Sequence, residues 1–250
     1  MEIQEAGSGP AVVLLHGAPS PFSYFAPIID ELSRTHRVLC PILPGYAGTS
    51  PSPGGYGRAE IAGLFAEVLA ARGVTEAAVL GYSLGGYRAL SLALESRLRV
   101  TRLYLLSAIA GFDREERAQR QQLAIAVRDE AFDLRSAFVQ LVLPPGYADA
   151  HPDTAADVAG WVDVTSRAVL AAEVEATAHE ESLEPRVAEL RIPVVARVGE
   201  LDAGAPPRKS AAITEVVPNA VLEVVPGCGH VLLLEDREAT TASAVRFLRG

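Results

Sequence analysis

Gly81-Tyr82-Ser83-Leu84-Gly85 fits the pattern Gly-x-Ser-x-Gly. The string has chemical meaning in one setting, directly after a strand and at the start of a helix. Ala77–Leu80 is a short apolar run that reads as a strand, and the alanine-rich stretch from Leu84 to Ser96 reads as a helix. A turn that sharp forces Ser83 into a strained backbone conformation, and the small residues at 81 and 85 avoid the clashes that follow. It exposes the hydroxyl at the C-terminal edge of a sheet, beside a helix N-terminus. The bland alternative is a glycine-rich packing turn with an incidental serine; the strand–turn–helix setting favours the chemical reading.

A serine hydroxyl is a poor nucleophile without a base. Of the five histidines, His230 lies in Pro226-Gly227-Cys228-Gly229-His230, directly after the apolar run Ala220–Val225. That places it at the same sheet edge as Ser83. His36 precedes a strand and belongs at the opposite edge, while His151 and His179 fall in a stretch without strands. The imidazole needs an acid to fix its tautomer and stabilise its charged form. Asp202 follows the strand Ile192–Val198, again at the C-terminal edge; Glu200, two residues earlier, is expected to point elsewhere. The chain order Ser83, Asp202, His230 is the one that accompanies this serine turn.

Acyl transfer also needs preorganised N–H donors for the developing oxyanion. The amides of Leu84 and of Ala18 are the candidates, the latter in the His16-Gly17-Ala18 loop after the run Ala11–Leu15. Gly17 leaves room for substrate to approach the backbone, and His16 reads as a brace for that loop. Candidates for the pocket wall are Phe22, Tyr46, Tyr82, Phe138, Leu141, Trp161 and Val231, residue types that are more often core than pocket. Arg114, Arg117 and Arg120 could bind a substrate carboxylate, but a solvated, charge-laced helix face is the favoured reading.

The elements that must position these groups alternate. Strands at Ala11–Leu15, Arg37–Pro41, Ala77–Leu80 and Leu103–Leu106 are separated by helical patterns. The clearest is Ile61, Leu64, Phe65, Val68 and Leu69 at one face of a 3.6-residue repeat, stopped by Gly73. Such alternation predicts a parallel sheet with helices on both faces. From about Asp113 to about Glu184 only helical patterns occur. The α/β pattern then resumes with Ile192–Val198, Ala220–Val225 and a closing helix.

The chain has 250 residues and a formal net charge of −9. With 49% hydrophobic and 21% charged residues it is neither disordered nor fibrous. The acidic balance argues against nucleic-acid and anionic-membrane partners. All but one of the 22 basic residues are arginines. The exception, Lys209, lies in a Pro-rich stretch beyond Asp202, which makes a Ser–Lys mechanism a poor fit. Cys40 and Cys228 cannot form a disulfide scaffold. The N-terminal residues lack a secretory pattern, and no run approaches the ~18 apolar residues that span a bilayer, so a cytoplasmic protein is expected.

Taken together, His16-Gly17, the Pro44–Ser50 loop, Gly81–Gly86, Gly199–Asp202 and Gly229-His230 resemble the α/β-hydrolase superfamily over nearly the whole chain. Serine at position 83 separates it from dehalogenases and epoxide hydrolases of that superfamily, which carry aspartate there. The elbow and the return through Leu183–Val194 look most like small bacterial enol-lactonases, esterases and cofactor-free haloperoxidases. A fainter similarity links Gly111–Arg120 to the menaquinone-pathway enzyme that eliminates pyruvate. Two departures stand out: a short segment before the His16-Gly17 strand, where the leading hairpin is expected to be reduced, and Pro41-Ile42-Leu43 where relatives often carry an aspartate.

The resemblance implies an α/β-hydrolase fold: a mostly parallel sheet with helices on both faces and a helical cap inserted after the sixth strand. The core is then residues 1–112 and 185–250, and the cap 113–184. The expected activity is hydrolysis of a small ester or lactone through an acyl-enzyme on Ser83, with no metal or cofactor, by a monomer or homodimer. The alternatives are a lyase or acyltransferase on the same three residues, or a non-catalytic small-molecule receptor.

Overall fold

The branched, apolar runs of the sequence become six strands of one seven-stranded sheet. In the computed structural model, which describes residues 1–52 and 55–250, these are β2 (Ala11–Leu15), β3 (Arg37–Pro41), β4 (Glu76–Tyr82), β5 (Arg99–Leu106), β6 (Val194–Gly199) and β7 (Ala220–Val225). Ile3–Ala6 adds β1. The order is β1-β3-β2-β4-β5-β6-β7, with β1 antiparallel to β3 and every other pair parallel. β1 closes one sheet edge, lacks an apolar run and stays partly exposed; β7 closes the other and keeps its apolar run although Val221, Leu222 and Val224 are exposed. Since only this one strand precedes β2, the helical insertion follows the fifth strand of this chain rather than a sixth. Of the turn-rich loop 44–55, Pro53 and Gly54 lie outside the described residues.

Alternation along each strand sends successive side chains to opposite faces. Val13, Leu15, Leu39, Val79, Leu103 and Leu105 pack against α2 (Arg58–Ala70) and α3 (Leu84–Glu95). Val12, Leu14, Val38, Leu80 and Leu106 face the other way. There they meet Ile28 and Leu32 of an early helix, α1 (Ala26–Leu32), and Ala244, Val245 and Leu248 of the closing helix, Arg237–Arg249. Both faces are covered, which is why the inner strands carry apolar residues at nearly every position.

Between β5 and β6 the described residues form helices only: α4 (Arg114–Arg128), α5 (Leu134–Val142), α6 (Tyr147–Ala150), α7 (Pro152–Gly160), α8 (Arg167–His179) and α9 (Glu184–Val187), with a 3₁₀ turn at Trp161–Val164. Asp113 begins α4 with a reciprocal capping box to Glu116. After β6 come α10 (Pro207–Val216), then β7, α11 (Leu232–Glu235) and α12 (Arg237–Arg249). Among the described residues no helix is long and apolar enough to cross a membrane. Cys40 and Cys228 are both free thiols.

The helical segment is tied to the sheet by buried polar groups. Glu173 of α8 is fully buried and forms an ion pair with Arg88 of α3, which is 3% exposed. The Tyr46 hydroxyl donates to the other oxygen of the same carboxylate at 2.5 Å. A bridge between Tyr46 and Thr165, with the Thr165 hydroxyl donating to the Gly45 carbonyl at 2.8 Å, closes the same seam. Breaking a buried pair from one side leaves an uncompensated charge. Arg88→Met should therefore destabilise the fold by about 3–5 kcal/mol, whereas Arg88→Met with Glu173→Gln should recover most of that loss. Urea unfolding of both variants checks this; equal midpoints for wild type and the single variant would contradict it.

Candidate active site

β4 ends at Tyr82 and α3 begins at Leu84, so Ser83 alone makes the turn, at φ 54° and ψ −124°. Few L-residues adopt positive φ, and the surroundings hold Ser83 there. Its N–H donates to the Leu106 carbonyl of β5 at 2.9 Å, and its own carbonyl accepts from Gly86 at 2.9 Å. Glycine at 85 lets α3 start against the Leu15 and His16 carbonyls, where a Cβ would collide with backbone; glycine at 86 clears Ala108. A Cβ on Gly17 would lie 2.8 Å from the Ser83 Cβ, so the loop after β2 passes directly beside the serine.

Three loops at this edge meet. The Ser83 hydroxyl donates to His230 Nε2 at 2.9 Å. His230 Nδ1 lies 2.9 and 2.8 Å from the two Asp202 oxygens, and with Nε2 accepting, Nδ1 carries the proton. The Asp202 side chain is buried, and its Oδ1 also accepts the Ala205 amide at 2.7 Å. Glu200, the competing acid, turns away and accepts the Gly227 amide at 3.0 Å. Gly199 permits the Asp202 and His230 loops to touch, since a Cβ there would meet the Cys228 and Gly229 carbonyls.

Ala18 and Leu84 line one cavity with Ser83 and His230. Neither backbone amide has a hydrogen-bond partner among the described residues, so both N–H groups are unspent. The Ala18 loop is braced twice. Gly17 N–H donates to the Ser20 hydroxyl, which donates back to the Gly17 carbonyl, both at 3.1 Å. Buried His16 donates from Nδ1 to the Gly17 carbonyl at 3.0 Å and accepts the Leu43 amide on Nε2 at 3.2 Å. Both ring nitrogens are thereby occupied by a neutral imidazole, and burial pushes its pKa down to about 4.

Residues 12–244 match the alpha/beta hydrolase family. The chain belongs to that family. A pimeloyl-[acyl-carrier protein] methyl ester esterase of Xylella fastidiosa is 28% identical over 261 residues, covering 99% of this chain and 98% of the relative. A thermophilic esterase from Thermogutta terrifontis superposes with a TM-score of 0.90 at 25% identity, covering 99% of this chain and 92% of that one. The enol-lactonase from Burkholderia xenovorans LB400 gives a TM-score of 0.89 at 23% identity, over 100% and 96% of the two chains. That last likeness bears on the fold.

In this alpha/beta hydrolase the cavity measures about 140 Å³ and lies between the sheet edge and helices α4, α5 and α8. Phe138 and Leu141 stand in its wall. The other wall candidates do not. Tyr46 turns under the edge to Glu173, and Val231 is wholly buried in the core. Tyr82 lies behind the histidine, with ring centroids 5.2 Å apart, and stacks on Tyr24. Trp161 packs edge-on to Tyr24 and lines a separate surface cleft. Phe22 is half-buried against the core. In their place stand Leu123, Val127, Phe132, Leu134, Leu170 and Val174, which the helical segment turns inward.

Three further residues of this hydrolase bear on the site. Ser107, at φ 47° beyond β5, lines the cavity with a buried hydroxyl that has no partner among the described residues. Glu235 brackets His230: one oxygen accepts the Gly229 amide at 2.5 Å and the other the Val231 amide at 2.8 Å. Burial raises its pKa above the ordinary carboxylate value. An acid five residues beyond the histidine, at the end of a short apolar run, was the available sequence signal. Third, of the charged run on α4, Arg114 is exposed and Arg117 reaches the Glu180 carbonyl, but Arg120 turns into the cavity.

His16 carries a pH signature. Its folded-state pKa near 4 lies below the ordinary 6.5, so between those values the unfolded chain binds a proton that the folded one refuses. Its contribution is complete above about pH 6.5 and is lost as pH falls toward 4, by up to about 1.4 kcal/mol per unit. Denaturant unfolding across this range should show a shallower slope in His16→Gln than in wild type. Identical slopes would contradict the buried neutral imidazole.

Proposed function

We propose that this alpha/beta hydrolase is a serine esterase or lactonase acting on small carboxylic esters. The observation that carries the reading is the unbroken chain of short contacts from the Ser83 hydroxyl through His230 to buried Asp202. Ser83 Oγ attacks the carbonyl carbon while His230 Nε2 takes its proton. Asp202 stays ionised, fixing the tautomer and stabilising the imidazolium. The amides of Ala18 and Leu84 hold the oxyanion. When the C–O bond breaks, His230 returns the proton to the leaving alkoxide. Water, deprotonated by His230, then releases the acid and restores Ser83.

The wall chemistry and size bound the substrate. A cavity of about 140 Å³ lined mostly by aliphatic and aromatic side chains takes an acyl or lactone portion comparable to a benzene ring. We assign residues 113–184 as the cap that closes over it, with 1–112 and 185–250 as the core. Full-length likeness to a methyl ester esterase supports ester cleavage over the lyase and transferase alternatives. The two amides free to donate beside Ser83 favour an acyl-transfer enzyme over a receptor, which has no need of an oxyanion site.

Ser83→Ala should lower turnover of p-nitrophenyl butyrate by ~10⁴-fold or more and abolish labelling by a fluorophosphonate probe. Retained turnover, or an unlabelled wild-type serine, would sink the assignment. Glu235→Ala frees both amides beside His230 and should slow turnover about ten- to a hundredfold, with Glu235→Gln, which keeps one acceptor oxygen, losing less. Equal rates in all three proteins would show that the bracket does not position the histidine.

A further inference from the structure

Arg120 is the one permanently charged side chain among the described residues that line the Ser83 cavity. It also lines the adjoining outer cleft, whose other walls include Asp113, Glu116, Gln119 and Arg208. It therefore stands at the neck between an apolar chamber and a polar vestibule. The side chain is fixed in two ways. Nε donates to the Thr177 hydroxyl of α8, and the guanidinium lies over the Phe112 ring, 4.2 Å from its centroid. Its two terminal amino groups have no hydrogen-bond partner and no ion pair among the described residues.

None of the nearby carboxylates among the described residues forms a hydrogen bond or ion pair with it. Glu173 is held by Arg88 and Tyr46, and Glu180 accepts the Arg58 amide. Glu116 is paired with Lys209 at 2.7 Å and Arg208 at 3.2 Å. Asp113 caps α4. Glu173, Glu180 and Glu116 act on Arg120 through their field rather than by a direct bond. Burial pulls its pKa down to about 10, which still leaves it charged at neutral pH. A half-buried cation with unspent donors gains when a carboxylate completes the pair.

We propose that Arg120 binds a carboxylate on the substrate, remote from the carbonyl that Ser83 attacks, so that the preferred substrates are monoesters or lactones of dicarboxylic acids. The proposal rests on the ester-hydrolase reading and specifies its substrate class. Phe112, stacked on the guanidinium, and Thr177, fixing Nε, hold the planar fork with its outer edge toward the ligand. The aliphatic wall accounts for the methylene portion between the two ends. Removing the anion leaves the guanidinium unpaired again, which is how a polar group in an apolar site discriminates.

The test uses mono-p-nitrophenyl esters of dicarboxylic acids from succinate to suberate, each against the p-nitrophenyl ester of the corresponding monocarboxylic acid. At one chain length or more, the ratio of kcat/KM for anionic over neutral ester should exceed about tenfold in wild type. That ratio should collapse toward one in Arg120→Met and survive in part in Arg120→Lys, which keeps a charge without the fork. A wild-type ratio near one along the whole series, or a ratio unchanged by Arg120→Met, overturns the proposal.

A second arm does not depend on turnover. In Ser83→Ala, calorimetry should show adipamate binding at least about tenfold tighter than hexanamide, a preference that disappears in Ser83→Ala with Arg120→Met. Equal affinities in Ser83→Ala overturn the carboxylate site by themselves. If instead the binding preference holds while wild type cleaves no ester, the hydrolase reading fails and the anion site stands.

Discussion

At Ser83 the chain turns from strand to helix through one residue in a left-handed conformation, a strain of about 1–3 kcal/mol that persists only where the surroundings over-determine it. The sheet supplies that over-determination. Ser83 is tied to β5 through its N–H and to the first turn of α3 through its carbonyl, and α3 can begin there because Gly85 and Gly86 let helix backbone touch the ends of β2 and β5. The close approach has a second effect. It brings the Gly17 loop within contact of Ser83, so the Ala18 amide and the serine are positioned by one packing event. A side chain at any of these glycines would separate the serine from the amide that the proposed reaction requires.

Much of this was legible because the relevant signals are local. The parallel strands write themselves as apolar runs, the exposed edge strand β7 included, and whatever follows such a run in a parallel sheet lies at the C-terminal edge. Ser83, Asp202 and His230 each follow one, so their convergence could be read without coordinates. β1 could not be read that way, since Ile3–Ala6 takes its strand conformation from antiparallel pairing with β3 and has no pattern of its own. The wall of the cavity was least legible. Tyr46, Tyr82 and Trp161 are large and apolar in sequence, but size does not say which way a side chain faces. Tyr46 is drawn under the edge by the Glu173 carboxylate, a partner 127 positions away. Arg120 erred in the opposite direction. Its neighbours make a charged helix face, and only the packing of α4 on α8 rotates it inward.

The helical segment is more than a cover on this edge. The His230 amide donates to the Val142 carbonyl at the end of α5, at 2.9 Å, so the position of the proposed base depends on the segment as well as on the sheet. Glu173 and Arg88 work in the same sense, joining α8 to the helix that starts at Ser83. Removing both charges from water is expensive, and the pair with Tyr46 offsets that cost only while the segment sits where it does. The placement of the inward-facing wall, Leu170 and Val174 of α8 included, is therefore linked to the orientation of α3.

The charge distribution bears on the ligand in a way that the total does not. A net charge of −9 would repel an anion from a distance. At physiological ionic strength the Debye length is about 8 Å, so much of that exposed charge is screened before it acts on an approaching molecule. Inside the cavity screening is weaker, and two charge pairs near the wall cancel internally: Glu173 with Arg88, and Glu116 with Lys209. Among the described residues that line the cavity, Arg120 alone carries a permanent charge; the ionised Asp202 sits behind His230 rather than in the wall. The same acidic chain thus presents a cation at the neck of this cavity, and the proposed anion preference rests on that guanidinium rather than on the composition.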